Sequence, residues 1–178
     1  MTLKVSAGND INDFNAIIEI TMNEGGVKYE YNKEFRLLTV DRFIPITMHY
    51  PCNYGFVPNT LSEDGDPLDV LVITPVPIQS GTLIRVRAVG LMRMEDESGK
   101  DSKILTFPLA KACREYQSIQ TIKDVSPLLL DTITYFFEHY KDLELNKWAK
   151  VKGWEGKDAA EKELQDSMNF FKKLKSKG

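Results

Sequence analysis

The first two-thirds of the chain consist of short strand-like segments separated by turn-forming residues; apolar and polar residues alternate in 27–31 and 84–92, whereas 16–22 and 69–73 are mainly apolar runs. Alternation with a period of two is typical of half-buried β-strands. The segments predicted as strands are 16–22, 27–31, 37–43, 69–73, 84–92 and 103–107. Only a polar turn separates the second segment from the third, so we expect these two to form a hairpin.

Helical patterns come late in the chain. Ser126 followed by Pro127 predicts the start of a helix that runs to about Tyr140. Asp158, with Glu161 three residues later, resembles a capping box and predicts that the last helix begins there. The apolar stripe of that helix contains Ala160, Leu164, Met168 and Phe171. Strands followed by helices predict an α+β fold, with a small antiparallel barrel as the architecture.

Length and composition narrow the class of protein. The 178 residues correspond to one domain, and 42% hydrophobic with 28% charged residues is ordinary for a globular protein. That composition excludes a wholly disordered chain, a collagen-like fibre and a disulfide scaffold. Charged residues and prolines interrupt the apolar stretches, so no membrane span is expected, and the first ten residues lack an apolar signal segment. We expect a cytoplasmic protein with Cys52 and Cys113 as free thiols.

An acidic segment carries most of the functional information. Asp64-Gly65-Asp66-Pro67-Leu68-Asp69 leads directly into the apolar segment 70–73. Three carboxylates in six residues can simply be a solvated loop. However, Gly65 permits a tight turn and Pro67 restricts the backbone, so the carboxylates can project in fixed directions. Asp69 also opens a strand that is predicted to be buried, where a carboxylate is costly unless a partner satisfies it.

Further acids follow at Asp96 and Asp101. If four carboxylates converge about 5 Å apart at an effective dielectric of about 20, each pair repels by roughly 3 kcal/mol. The sum over the pairs exceeds the net stability of a domain, which is about 5–15 kcal/mol. Divalent cations would offset this repulsion, and ligands that are all oxygen favour Mg²⁺ or Mn²⁺. Zinc fits poorly because His49 and His139 each stand alone.

Cationic and phenolic residues accompany the acids. Each of the following cations lies within two residues of an acid: Lys28, Arg42, Lys103 and Lys141. Taken singly they are typical surface charges, but beside carboxylates that could bind metal ions they suit a phosphate ligand. Tyr50 and Tyr54 flank a turn and can serve either as packing aromatics or as hydroxyl donors. The chain has neither a Walker phosphate-binding loop nor a Ser-His-Asp pattern.

The order and spacing of these segments resemble the family I soluble inorganic pyrophosphatases of the bacterial type, over nearly the whole chain. The acidic segment with Val70 matches the signature of that family. The other matching segments are Ile18-Glu19-Ile20, Lys28-Tyr29-Glu30, Val40-Asp41-Arg42-Phe43, Tyr50-Pro51-Cys52-Asn53-Tyr54-Gly55, Asp101-Ser102-Lys103 and the run from Phe136 to Glu144.

The resemblance implies a fold, a reaction and an assembly. The fold would be a five-stranded antiparallel barrel of the oligonucleotide/oligosaccharide-binding (OB) type with flanking helices, formed by residues 1–178 as a single domain. The reaction would be Mg²⁺-dependent hydrolysis of pyrophosphate to two phosphates by direct attack of a metal-activated water, with several Mg²⁺ ions per subunit. The assembly would be a homohexamer made of two trimers, with neither nucleic acid nor membrane as a partner.

The resemblance also implies roles for individual residues. The tightest metal would be bound by Asp64, Asp69 and Asp101. Asp96, with Asp101, would hold a metal that arrives with the substrate, and Glu19 would assist a further one through water. Asp66 would take a proton from the attacking water. The phosphates would be held by Lys28, Arg42, Tyr54, Lys103, Tyr140 and Lys141. Two further active-site positions are Glu30 and Tyr50.

One departure and two alternatives remain at this point. Tyr135 stands where some bacterial members have a second histidine near the trimer contact, so their pH response of assembly need not carry over.

An OB-type module that binds single-stranded nucleic acid or sugar would use the tyrosines as stacking platforms. Such a module needs a basic face rather than ordered aspartates, and the net charge of −3 argues against it. A metal-dependent phosphoesterase acting on nucleotides is the third interpretation.

Overall fold

The computed structural model describes residues 4–176, in which a mixed β-sheet is flanked by two helices. The strands are β1 (Phe14–Ile20), β2 (Val27–Asn32), β3 (Leu37–Phe43), β4 (Asn53–Phe56), β5 (Asp69–Val72), β6 (Leu83–Asp96), β7 (Gly99–Lys100), β8 (Lys103–Pro108) and β9 (Ala149–Gly156). The helices are α1 (Pro127–His139) and α2 (Lys157–Lys175), and a short 3₁₀ turn at Ile122–Asp124 precedes α1. Neither helix is both long and apolar enough to cross a bilayer, within the part of the chain that the structure describes.

Five of the strands close into a ring. They pair in the order β1, β4, β5, β8 and β6, and β6 pairs back with β1. Four of these pairings are antiparallel, but β5 and β8 run parallel. The prediction of a wholly antiparallel barrel is therefore wrong for this pair. The long strand β6 runs antiparallel to β8, and β8 consequently lies parallel to β5 and sets Asp69 beside Lys103.

The ring strands are buried on both faces. Leu71 of β5 belongs to a cluster that includes Phe136 and Phe137 of α1, whereas Val70 and Val72 belong to a cluster that includes Leu164 of α2. A strand covered on both sides needs apolar residues at every position. This explains why the segment after Asp69 is continuously apolar instead of alternating.

The helices begin close to the predicted positions, with one correction. Helix α1 starts at Pro127 after Ser126, as predicted. Helix α2 starts at Lys157 after Gly156, so the capping box predicted at Asp158 is wrong. Asp158 lies in the first turn instead, where a carboxylate interacts favourably with the helix dipole. The predicted apolar stripe is buried at Ala160, Leu164 and Met168 and half-buried at Phe171.

The predicted hairpin is confirmed and forms a separate two-stranded sheet beside the ring. Strands β2 and β3 pair from Val27–Phe43 to Asn32–Leu37, with an irregularity after Lys28. Lys28 and Arg42 are direct partners in this register. The hairpin thus carries two cations side by side at the end away from its turn.

Gly55 marks a point of close backbone approach between β1 and β4. A Cβ atom at this position would lie 1.9 Å from the carbonyl oxygen of Ile17, a backbone atom within the ring that cannot swing away. We expect Gly55→Ala to lower the free energy of unfolding by about 3 kcal/mol or more. Chemical denaturation measures this, with Gly156→Ala as the control. A Cβ at Gly156 meets open space, so that variant is expected to lose less than about 1 kcal/mol. Equal losses in both variants would contradict the steric account.

Candidate active site

A polar cavity of about 640 Å³ opens between the ring, the β2–β3 hairpin and the segment that follows α1. Thirteen of the fourteen side chains predicted from the sequence line this cavity: Glu19, Lys28, Glu30, Arg42, Tyr50, Tyr54, Asp64, Asp66, Asp69, Asp96, Asp101, Tyr140 and Lys141. The fourteenth, Lys103, is 1% exposed and lies behind the cavity wall, in contact with two of the thirteen. The fold thus gathers these thirteen residues from six strands and four loops at one place.

A buried lysine lies between two aspartates in the cavity wall. The Lys103 Nζ atom is 2.6 Å from Asp69 Oδ2 and 2.8 Å from Asp101 Oδ1. The Tyr54 hydroxyl donates to the same Asp69 oxygen at 2.7 Å. The ammonium group also lies 5.3 Å from the ring centre of Tyr54 and 5.4 Å from that of Phe137. The parallel pairing of β5 with β8 is what brings this set together.

The two aspartates around Lys103 differ in their pKa values. Burial raises the pKa of Asp101 to about 7, and the neighbouring charge of Asp69 adds to this effect. Burial opposes the charge of Asp69 too, but the charge and hydrogen bond of Lys103 and the hydroxyl of Tyr54 hold its pKa below the ordinary value. One ammonium therefore does not fully balance the two carboxylates, and a further cation would stabilise the charged form of Asp101.

The loop between β4 and β5 holds the other two aspartates of the acidic segment. Gly65 adopts φ +94, the left-handed conformation that favours glycine, and Asp64 Oδ1 accepts the Asp66 N–H at 3.0 Å. Burial raises the pKa of Asp64, and the charges of Asp66 and Asp69 add to this. Burial also raises the pKa of Asp66, together with the charges of Glu30 and Asp69. The turn keeps both carboxylates at the cavity surface.

The predicted cations that line the cavity are paired with acids. Lys28 contacts Glu30 and lies 3.6 Å from Asp41. Lys141 Nζ is 2.7 Å from Asp96 Oδ2 and 3.2 Å from Glu97 Oε2, and its side chain is 6% exposed. The partners of Lys141 thus come from the end of β6. Its sequence neighbour Asp142 instead contacts His139 at 2.7 Å.

Glu19 is a buried acid on β1. Its Oε1 atom accepts the Tyr31 N–H at 2.6 Å, which ties β1 to the hairpin. Burial raises the pKa of Glu19 from 4.5 to about 8, and the charges of Asp69 and Glu30 contribute in the same direction. The interior therefore favours the protonated acid until a cation is near.

The tyrosines combine the two roles that the sequence left open. Tyr50, Tyr54 and Tyr140 pack with Phe136 and Phe137, and the Tyr50 and Phe136 ring centres are 4.6 Å apart. Burial raises the pKa of all three hydroxyls, with Asp69 contributing to each, so they stay protonated and able to donate. Tyr54 donates to Asp69, as described above.

Sequence reasoning missed several side chains that line the cavity: Lys33, Glu34, Asp41, Glu97 and Lys147. Asp41 and Glu97 adjoin predicted residues in the chain, so adjacency was a usable signal for them. Lys33 lies in the turn between β2 and β3, and Lys147 follows α1 by eight residues. Only the pairing of the hairpin and the path of the chain after α1 bring these two lysines to the cavity.

The donor set fits a hard divalent cation. Acidic residues outnumber basic ones in the lining, ten to five. All of the predicted metal ligands present carboxylate oxygens, which Mg²⁺ prefers. Among residues 4–176, no three Asp, Glu, His or Cys side chains already form a metal-binding group.

The raised pKa of Glu19 predicts a pH-dependent stability in metal-free protein. The folded state binds this proton more tightly than the unfolded chain, since its pKa is about 8 rather than 4.5. The stabilisation of the folded state by this proton is therefore complete below pH about 4.5, and it is lost as the pH rises through about 8. We expect Glu19→Gln to remove this loss, which amounts to about 5 kcal/mol. Denaturation in EDTA at acidic and alkaline pH measures it, with the exposed Glu24→Gln as control. An unchanged pH dependence in Glu19→Gln would contradict the assignment.

Comparison with known proteins identifies the class to which this fold and site belong. The model of the family described as inorganic pyrophosphatase matches residues 16–172. The chain therefore belongs to the inorganic pyrophosphatase family, the hydrolases that convert pyrophosphate to phosphate. The prediction of that family from the acidic signature and its flanking segments is confirmed.

Individual relatives match nearly the whole chain. An inorganic pyrophosphatase of Buchnera aphidicola is 52% identical over 175 residues, covering 97% of this chain and 100% of the relative. The Escherichia coli inorganic pyrophosphatase is 49% identical over 176 residues, covering 98% of both chains. A solved inorganic pyrophosphatase structure from Coxiella burnetii is 67% identical, with a TM-score of 0.92, and covers 94% of this chain and 99% of its own.

Proposed function

We propose that this member of the family hydrolyses pyrophosphate by direct attack of water, with Mg²⁺ as its cofactor and several ions in each subunit. One observation carries the proposal: a single cavity joins a cluster of aspartates to a set of lysines, an arginine and tyrosine hydroxyls. Pyrophosphate carries several negative charges, and its neutralisation by cations and metals is the main demand of phosphoryl transfer.

The residues that would hold the cofactor are carboxylates in the cavity wall. Asp64, Asp69 and Asp101 would bind the tightest ion, Asp96 together with Asp101 a second, and Glu19 would act on a further one through water. When bound, the ions supply charge neutralisation and acidify a coordinated water. The unbalanced charge around Lys103 and the raised pKa of Asp101 support this set, because both favour an added cation.

Asp66 would take the proton from the attacking water. It is exposed on the loop after β4, beside Asp64, and faces the cavity. Its raised pKa makes it a stronger base than an ordinary aspartate. A carboxylate at the cavity surface can also pass the proton on to solvent, which prepares the site for the next turnover.

The phosphates would be held by Lys28, Arg42, Tyr54, Lys103, Tyr140 and Lys141. In the structure these cations contact carboxylates, and a bound phosphate would share or replace those contacts. Arginine offers a planar fork that matches two phosphate oxygens, and the hydroxyls add neutral donors. Glu30 and Tyr50 would support this set, Glu30 through Lys28 and Tyr50 through the aromatic packing.

The sequence also motivates proposals about architecture and assembly. We infer that residues 1–178 form one domain and that its ring is of the OB type. Numbered in chain order, the ring strands follow one another as 1, 2, 3, 5 and 4, which supports that type. We further infer a cytoplasmic homohexamer of two trimers. Exposed apolar side chains on and after α1 support an assembly: Leu128, Tyr135 and Leu145 are 74%, 60% and 89% exposed. Sedimentation analysis tests the number of chains.

The experiment for the reaction is phosphate release by the purified chain. Pyrophosphate is supplied with Mg²⁺, then with excess EDTA, and ATP is offered as a competing substrate. We expect rapid release of phosphate from pyrophosphate with Mg²⁺, little release in EDTA and little release from ATP. Equal release in EDTA would contradict the role of the metal. Faster release from ATP would favour the nucleotide phosphoesterase, and no release from folded protein would favour a binding module.

A further inference from the structure

An ion pair with little exposure joins the hairpin to the segment that follows α1. Arg42 on β3 donates from Nε to Glu144 Oε1 and from Nη2 to Glu144 Oε2, the latter at 3.2 Å. The two residues are 102 positions apart in the chain, and their side chains are 20% and 9% exposed. Two parallel contacts of this kind fix the plane of the guanidinium group as well as its position.

The N–H donors of Arg42 are divided between two acids and the cavity. A guanidinium group has five N–H donors. Glu144 takes one from Nε and one from Nη2, and Asp41 takes one from Nη1 at 2.6 Å. One N–H on each terminal nitrogen is left for a ligand. Arg42 lines the cavity and Glu144 does not, so Glu144 holds the guanidinium from behind.

We propose that Glu144 is a positioning residue that orients the Arg42 guanidinium toward the pyrophosphate. This inference rests on the proposed role of Arg42 as a phosphate-binding residue. Without Glu144, the long side chain keeps its contact with Asp41 but loses the two contacts that set its plane. Substrate would then have to immobilise the group on binding, at the expense of affinity.

Kinetics of single and double variants test the proposal. Glu144→Gln keeps the shape of the side chain but loses the charge and one acceptor. We expect it to raise KM for pyrophosphate about tenfold with a smaller change in kcat. Arg42→Lys is expected to raise KM as well, because the fork is lost. In the double variant, KM should match that of Arg42→Lys alone, since Glu144 acts through Arg42.

The matched control is Glu163→Gln, which breaks another glutamate–arginine contact, 2.7 Å from Arg93 on the far side of β6. It is expected to leave KM unchanged. Thermal unfolding of every variant separates loss of fold from loss of affinity. If Glu144→Gln does not fold, Glu144→Asp keeps the charge with a shorter reach, and an intermediate KM is expected.

The outcomes separate this inference from the proposed function. If Arg42→Lys leaves KM unchanged, the proposed role of Arg42 fails, and the role of Glu144 fails with it. If Arg42→Lys raises KM but Glu144→Gln does not, the positioning role is overturned while the proposed function stands. If both raise KM and their effects multiply in the double variant, Glu144 acts independently of Arg42 and the inference is overturned.

Discussion

Replacing Asp69 with asparagine is expected to lower turnover about a thousandfold while the protein remains folded. Asp69 accepts from both Lys103 and Tyr54, so its charge pairs with the buried ammonium, and its side chain also lines the cavity. The amide of asparagine keeps one oxygen for the Tyr54 hydroxyl, and Asp101 still pairs with Lys103 at 2.8 Å. What is lost is one of the three carboxylates proposed to hold the tightest Mg²⁺.

The measurement is phosphate release from pyrophosphate over a range of Mg²⁺ concentrations. The half-saturating Mg²⁺ concentration should rise along with the loss of turnover. Asp166→Asn on α2 is the control, because it removes an exposed carboxylate that pairs with Lys162 far from the cavity. Wild-type turnover of Asp69→Asn at low Mg²⁺ would remove Asp69 from the ligand set.

Replacing Asp66 with asparagine is expected to lower turnover about 10²- to 10⁴-fold with little change in Mg²⁺ affinity. Asp66 and Asp64 lie in one turn and both face the cavity, yet the proposal gives them different tasks. Asparagine at position 66 cannot accept a proton, whereas the ligand set of Asp64, Asp69 and Asp101 remains.

The pH dependence of kcat separates the two tasks. The acidic limb of the wild-type profile should disappear in Asp66→Asn, because the base that titrates there is gone. Asp64→Asn, changed in the same turn, should instead weaken Mg²⁺ binding. If Asp66→Asn loses Mg²⁺ affinity and turnover by the same factor, Asp66 is a ligand and another group is the base.

Much of the fold follows from patterns within single segments. The hairpin, β5, β6, β8 and α1 each show an alternating pattern, an apolar run or a start signal, and each is present where the pattern predicts it. Strand β4 covers only Asn53–Phe56 and contains Gly55, so it shows little strand character. Strand β9 is a half-exposed polar segment that, among residues 4–176, pairs with β6 alone. The direction of β8 relative to β5 depends on the closure of the ring, and no single segment carries that information.

The residues of the candidate site could be predicted from the sequence, but their contact partners could not. The spacing of the acidic segment and its flanking motifs identified the residues, and the cavity contains nearly all of them. The partners were less predictable. Lys141 pairs with Asp96, 45 residues away, rather than with its neighbour Asp142, because the chain turns at the end of α1. The burial of Lys103 and the contact from Glu144 to Arg42 likewise depend on tertiary packing, which residue spacing does not encode.

Diffraction from crystals grown with Mn²⁺ in place of Mg²⁺ tests the central claim most directly, because the anomalous signal of manganese locates the ions without reference to activity. We expect a peak in contact with the carboxylates of Asp64, Asp69 and Asp101, and a second one beside Asp96 when a pyrophosphate analogue is added. Crystals saturated with Mn²⁺ that show no peak at these aspartates, with Lys103 still between Asp69 and Asp101, would contradict it.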